Sequence, residues 1–207
     1  VAGLRRQTIV GFVALIGLAA LAALVLLRSK PEAAPPVLQA IPPFTLVDEQ
    51  GRPFGSADLK GTMYAADFIY TGCTDSCPLL TARMGELQER LRHAGPELRL
   101  ISFTVDPGRD SPPKLLEYAK HAHYDPARWT FLTGTDTAME ALLTQGFKVA
   151  MYREVHDGGA TPEELIHDEH LVLVDGMGRL RGYYAANAEG LGKLLGAVKY
   201  LATHRPQ

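Results

Sequence analysis

Residues 63–78 read MYAADFIYTGCTDSCP: an apolar run from Met63 to Tyr70 turns at Thr71-Gly72 into a pair of cysteines, Cys73 and Cys77. The run has the length of a buried strand, and Leu79, Leu80, Met84, Leu87 and Leu91 then recur at helical spacing. Thiols at such a strand-to-helix junction sit at a helix N-terminus, where the peptide dipoles favour the thiolate. Four residues apart on a helical turn, the two sulfurs share one face, which suits either a disulfide or a pair of thiolates on one metal ion. A bridge closing so short a loop restricts the unfolded chain little, so the value of the pair is chemical rather than structural.

Working outward, strand-like and helix-like runs alternate. Leu98–Val105 reads as a strand, Pro112–Ala122 as a helix with proline in its first turn, Trp129–Leu132 as a strand and Asp136–Gln145 as an N-capped helix. Leu171–Val174 and Leu180–Ala185 flank a turn at Asp175-Gly176-Met177-Gly178, and a closing helix spans about Glu189–Ala202. Ahead of the cysteines, Phe44–Val47 and Pro53-Phe54 flank Asp48-Glu49-Gln50-Gly51 as a short hairpin. The order predicts an α/β domain with a mixed or parallel sheet, helices on both faces and an N-terminal hairpin extension, and no internal repeat interrupts it.

At 207 residues the chain holds one well-buried domain plus an appendage. The net charge of −2, from 21 basic and 23 acidic residues, supplies no basic stripe for a phosphate backbone, so nucleic acid is excluded as a partner class. The appendage is residues 1–28. Thr8–Leu27 is uncharged, and twenty residues at helical rise span roughly 30 Å, a bilayer core. The h-region of a cleaved signal peptide is shorter, so a retained single transmembrane helix is expected, anchoring the protein in the membrane. Arg5 and Arg6 on one flank nearly balance Arg28 and Lys30 on the other; the short N-terminal flank favours a cytoplasmic N-terminus with the domain exported to the periplasm or the equivalent intermembrane side. Residues 29–43, rich in proline and alanine, read as a linker, and 44–204 as the domain.

A third donor separates a redox pair from a metal site. Of the seven histidines, 93, 121, 123 and 204 fall toward helix ends or in the tail and read as solvated, whereas His167 and His170 precede the apolar strand Leu171–Val174. In a thioredoxin-type fold the loop before that strand faces the active cysteines and usually presents a cis-proline; here no proline follows Pro162, and imidazoles stand in its place. That favours a two-sulfur, one-nitrogen metal site. Soft thiolates suit Cu(I), and thiolate with imidazole also suits Cu(II). Either histidine fills the nitrogen position on this reading.

The residues resemble the Sco/SenC family of copper proteins, which assist assembly of the copper centre of cytochrome c oxidase. The resemblance covers most of residues 40–203 and rests on FIYTGCTDSCP (68–78), SFTVDPGRDSP (102–112) and WTFLTG (129–134). It implies a thioredoxin-like fold and a copper ion held by Cys73, Cys77 and a histidine eleven residues before a turn glycine; counting back from Gly178 gives His167, with His170 as the fallback. Many members have proline where Thr74 stands, and serine or threonine where Asp168 stands; neither change removes a donor, and Asp168 reads as a solvated loop acid, with orientation of the His167 imidazole as the other role. Asp106 and Asp110 match the family's Asp-Pro-x-x-Asp segment and are expected to brace the loop beneath the site. Asp67 interrupts the apolar strand six residues before Cys73, the separation at which thioredoxins carry a buried acid that moves protons during thiol exchange; an exposed strand position is the other reading.

The function the resemblance implies is that of a membrane-anchored metallochaperone, a binding protein rather than an enzyme, which passes copper to the copper-accepting subunit of the oxidase and meets a thiol reductant or another copper chaperone. The alternative is a thiol-disulfide oxidoreductase, working through a redox-active Cys73–Cys77 disulfide with Asp67 as proton acceptor, that keeps the cysteines of an exported partner reduced.

Overall fold

In the computed structural model, which describes residues 34–73, 77–94, 97–149 and 170–204, the strands are β1 (Gln39–Ala40), β2 (Thr45–Asp48), β3 (Pro53–Gly55), β4 (Met63–Ile69), β5 (Leu98–Thr104), β6 (Trp129–Thr133), β7 (His170–Val174) and β8 (Arg179–Ala185). The helices among these residues are α1 (Cys77–Ala94), α2 (Pro112–His121), α3 (Asp136–Ala141, continued by one π-type turn over Leu142–Phe147) and α4 (Ala188–Thr203), with a 3-10 turn at Ser56–Leu59. The strands form one mixed sheet in the order β1-β8-β7-β4-β5-β6-β2-β3. At its centre β4, β5 and β6 run parallel, with β7 antiparallel on the other side of β4.

The register explains where the cysteines arrive. Every residue of β4 is buried, because a central strand is covered on both faces and needs no polar alternation. One face carries Ala65 and Ile69 against Leu80, Met84, Leu87 and Leu91 of α1, together with apolar residues of α2 and α4. The other face carries Tyr64, Ala66 and Phe68 against Met139, Leu142 and Phe147 of α3. Helices on both faces and the 45–55 hairpin follow the sequence pattern.

The chain joins this body earlier than its composition suggests. β1, inside the expected linker 29–43, pairs antiparallel with β8, and the carbonyls of Pro35 and Pro36 accept hydrogen bonds from the buried guanidinium of Arg181. Arg181 is in turn ion-paired to buried Asp175 at 2.7 Å. Contacts group residues 34–207 as one compact unit. The expected membrane helix over residues 8–27 lies outside the described residues; among those described, no helix is long and apolar enough to cross a membrane.

Candidate functional site

β4 ends at Ile69, and a tight turn, closed by the Cys73 N–H donating to the Tyr70 carbonyl at 3.1 Å, delivers the first cysteine. Cys77 is the first residue of α1, and its backbone N–H donates to Cys73 Sγ at 3.3 Å. The two thiols therefore meet over the helix start, as their spacing predicts. Their surroundings differ. Cys73 is partly exposed, whereas Cys77 is 1 % exposed within the core beneath α1. Burial pushes the Cys77 thiol well above the ordinary thiol range, and its hydrogen bonding with Cys73 adds to this while the Tyr70 backbone opposes it. The expectation that the helix start favours the thiolate fails for this sulfur, because desolvation outweighs a dipole that acts only over the first turn.

The loop that presents Cys73 is held from below. Buried Asp110 accepts hydrogen bonds from the Thr71 N–H (3.0 Å), the Thr71 hydroxyl (2.5 Å) and the Thr104 hydroxyl (2.6 Å). Asp106 ties its own 104–110 segment, its N–H donating to Thr104 Oγ1 at 3.0 Å and its carboxylate pairing with Arg109 at 2.7 Å. Asp110 thus braces the cysteine loop, as expected, whereas among the described residues Asp106 makes no bond to that loop and secures the segment that carries Asp110.

Asp67 is fully buried, which removes the exposed-strand reading. It lies on the α1 side of β4, accepts from the Ser102 hydroxyl at 2.5 Å, and has its second oxygen, Oδ2, buried without a hydrogen-bond partner. Burial pushes its carboxyl up to about 7, against the opposing effect of the Ser102 hydrogen bond. Ser102 in turn accepts from the Trp129 indole N–H at 2.9 Å. Ser102 and Trp129 open two of the motifs that carry the resemblance, yet nothing local ties either to Asp67, whose partners come from strands whose register is not written locally. Tyr118, on α2, is a second such neighbour, sharing a 2.7 Å hydrogen bond with Thr81 and influenced by the charges of Asp67, Cys77 and Cys73.

His170 opens β7 at the end of the sheet to which β4 delivers the cysteines, since Ala66 faces Val172 and Tyr64 faces Val174. Gly178, the glycine from which the metal histidine is counted, closes the β7–β8 turn with φ +71°. His167, and with it Asp168, lies outside the described residues; among those described, no group of three or more His, Cys, Asp and Glu is placed to hold an ion. His121, the last residue of α2, and His123 just past it are exposed, and His204 stacks on Tyr200 at the end of α4, away from the cysteines. The pair itself fits a soft ion, as two neighbouring cysteines at the start of α1, one buried and one partly exposed.

The SCO1/SenC family model matches residues 33–201. A SCO1 protein homolog of Bacillus subtilis is 30% identical over 170 residues, covering 81% of this chain and 86% of its own length. Among solved structures, BsSco, a Sco-family cytochrome c oxidase assembly protein in which a disulfide switch is identified, superposes with a TM-score of 0.71 at 29% identity, covering 84% of this chain and 99% of that one. Yeast Sco1 with copper bound superposes with a TM-score of 0.63 at 27% identity, covering 79% and 90%.

Proposed function

The chain belongs to the SCO1/SenC family, and from that membership we propose that it is a metallochaperone which carries copper on Cys73, Cys77 and His167 and delivers it to the copper centre of cytochrome c oxidase. The observation that carries the reading is the meeting of Cys73 and Cys77 over one helix start, a partly exposed cysteine beside a buried one. Copper is cargo here. The buried sulfur grips from the core side, and the exposed one is where an acceptor's ligand enters, so transfer proceeds by ligand exchange at the Cys73 side. His167 is three residues upstream in sequence of His170, which opens β7 at the cysteine end of the sheet. His170 remains the fallback donor. Copper-bound yeast Sco1 supports the choice of ion.

The apolar run 8–27 supports a membrane anchor with the domain on the exported side, where the oxidase acceptor stands. Reduced protein titrated with Cu(I) tests the reading: Cys73→Ala and His167→Ala each lose tight copper binding while keeping the fold, and full occupancy in either variant counts against it.

One observation favours a second reading. The Cys77 amide already points at Cys73 Sγ, and a disulfide switch is described for BsSco, so the pair also suits thiol-disulfide exchange with an exported partner. Exchange needs both cysteines and not His167. A His167→Ala protein that reduces its partner at the wild-type rate, while copper delivery proves irrelevant, favours exchange over delivery.

A further inference from the structure

We infer that Asp67 is the proton-holding partner of the dithiol: when both thiols give up their protons to bind the metal ion while Asp67 is ionised, one of those protons stays in the protein on Asp67 Oδ2. The inference rests on the reading of Cys73 and Cys77 as metal donors. Its basis is the direction of a hydrogen-bond chain. The Trp129 indole can only donate, and it donates to Ser102 Oγ; Ser102 then has one proton to give, and gives it to Asp67 Oδ1. Oδ1 is thereby fixed as an acceptor whatever the charge of Asp67. Any proton the carboxyl holds is on Oδ2, the oxygen that is buried and unpartnered.

An unpaired anionic oxygen in such a place is costly, and a neutral O–H there is less so. Apart from the Ser102 hydrogen bond, the groups facing Asp67 among the described residues bring no positive charge to offset an anion there. From the turn after β4 comes the thiol of Cys73, from the start of α1 that of Cys77, and from α2 the Tyr118 phenol, all neutral or negative. β5 and β6 contribute Ser102 and Trp129, which do not ionise, and β7 and α4 contribute leucines, Leu171 and Leu191 among them. No hydrogen bond joins Asp67 to either sulfur, so the coupling acts through charge.

The balance follows. Two neutral thiols and Cu(I) become a dithiolate complex with one net negative charge, two S–Cu bonds replacing two S–H bonds, with no electron transferred. That new charge raises the carboxyl of Asp67, which sits near 7 without metal. Where Asp67 starts ionised, it takes one of the two protons and solvent receives the other. Where it starts neutral, solvent receives both.

The test counts protons. Reduced full-length protein is titrated with Cu(I) in buffers of different ionisation heat across mildly acid to mildly alkaline pH, for the wild type, Asp67→Asn and Ser102→Ala. Wild type and Asp67→Asn release the same number of protons per copper at the acid end, and wild type releases about one fewer at the alkaline end. Ser102→Ala, which deletes the hydrogen bond favouring the anion, moves that crossover to higher pH and carries the test if Asp67→Asn does not fold. Equal proton counts at every pH, with each protein binding one copper, overturn the inference and leave the copper reading standing. A wild type that binds no Cu(I) overturns both.

Discussion

Asp110 holds Thr71, two residues ahead of Cys73, by both its amide and its hydroxyl, at 3.0 and 2.5 Å. A third donor, Thr104 Oγ1, completes a carboxylate that only accepts. Replacing Asp110 with asparagine sets an NH2 group against these donors and leaves buried polar atoms unpaired, at roughly 1–3 kcal/mol each. The expected outcome is a lower urea midpoint together with weaker copper binding, because the loop that presents Cys73 loses its floor. Unchanged copper affinity in a destabilised Asp110→Asn protein would confine the brace to stability alone.

Asp67 has a pH signature in the absence of metal. Its folded pKa, about 7, lies above the ordinary value of 3.8, so the folded chain holds a proton that the unfolded chain has lost between those values. Its contribution is therefore most favourable below about pH 4, declines as pH rises toward 7, and is flat above. The full decline amounts to roughly 4 kcal/mol. Urea midpoints between pH 4 and 7.5 should fall with rising pH in the wild type and stay level in Asp67→Asn; parallel profiles refute the assignment.

The core of this fold was legible where a local pattern sufficed. The run Met63–Ile69 and the leucine spacing of α1 are local, and they place the cysteines at their junction. β1 was hidden because two residues in a proline-rich stretch carry no period, and their docking depends on Arg181 far downstream. The face of Asp67 stayed open because a strand buried on both sides shows no alternation. Asp110 was legible as a brace from its motif, whereas the donors it binds were not, and Asp106, expected to act with it, secures only its own segment.

Where the domain begins is testable through Arg181. Its Nε donates to the Pro35 and Pro36 carbonyls at 3.2 and 3.1 Å, and its Nη1 pairs with Asp175. A chain begun at Phe44 strips those acceptors from a buried guanidinium; one begun at Ala34 keeps them. The shorter chain should be less stable by about 2 kcal/mol or more, and equal thermal midpoints would place the boundary at 44 after all. In the full chain, Asp175→Asn leaves Arg181 buried without its carboxylate, at a cost of about 3–5 kcal/mol.

The asymmetry of the two sulfurs predicts an order of reaction. Cys73 is partly exposed and its sulfur already accepts a hydrogen bond, while burial holds the Cys77 thiol protonated and out of reach. Since the thiolate is the reactive form, iodoacetamide at pH 8 should label Cys73 at least about tenfold faster than Cys77. Mass spectrometry of timed digests reads this directly, and comparable rates at the two positions would contradict it. In delivery the same order applies. An acceptor displaces Cys73 first, because only that sulfur is open to an entering ligand, and the ion leaves Cys77 last. Cys73→Ser should therefore weaken capture and hand-over together, whereas Cys77→Ser should mainly shorten the lifetime of the loaded state, as stopped-flow transfer to a chelator would resolve.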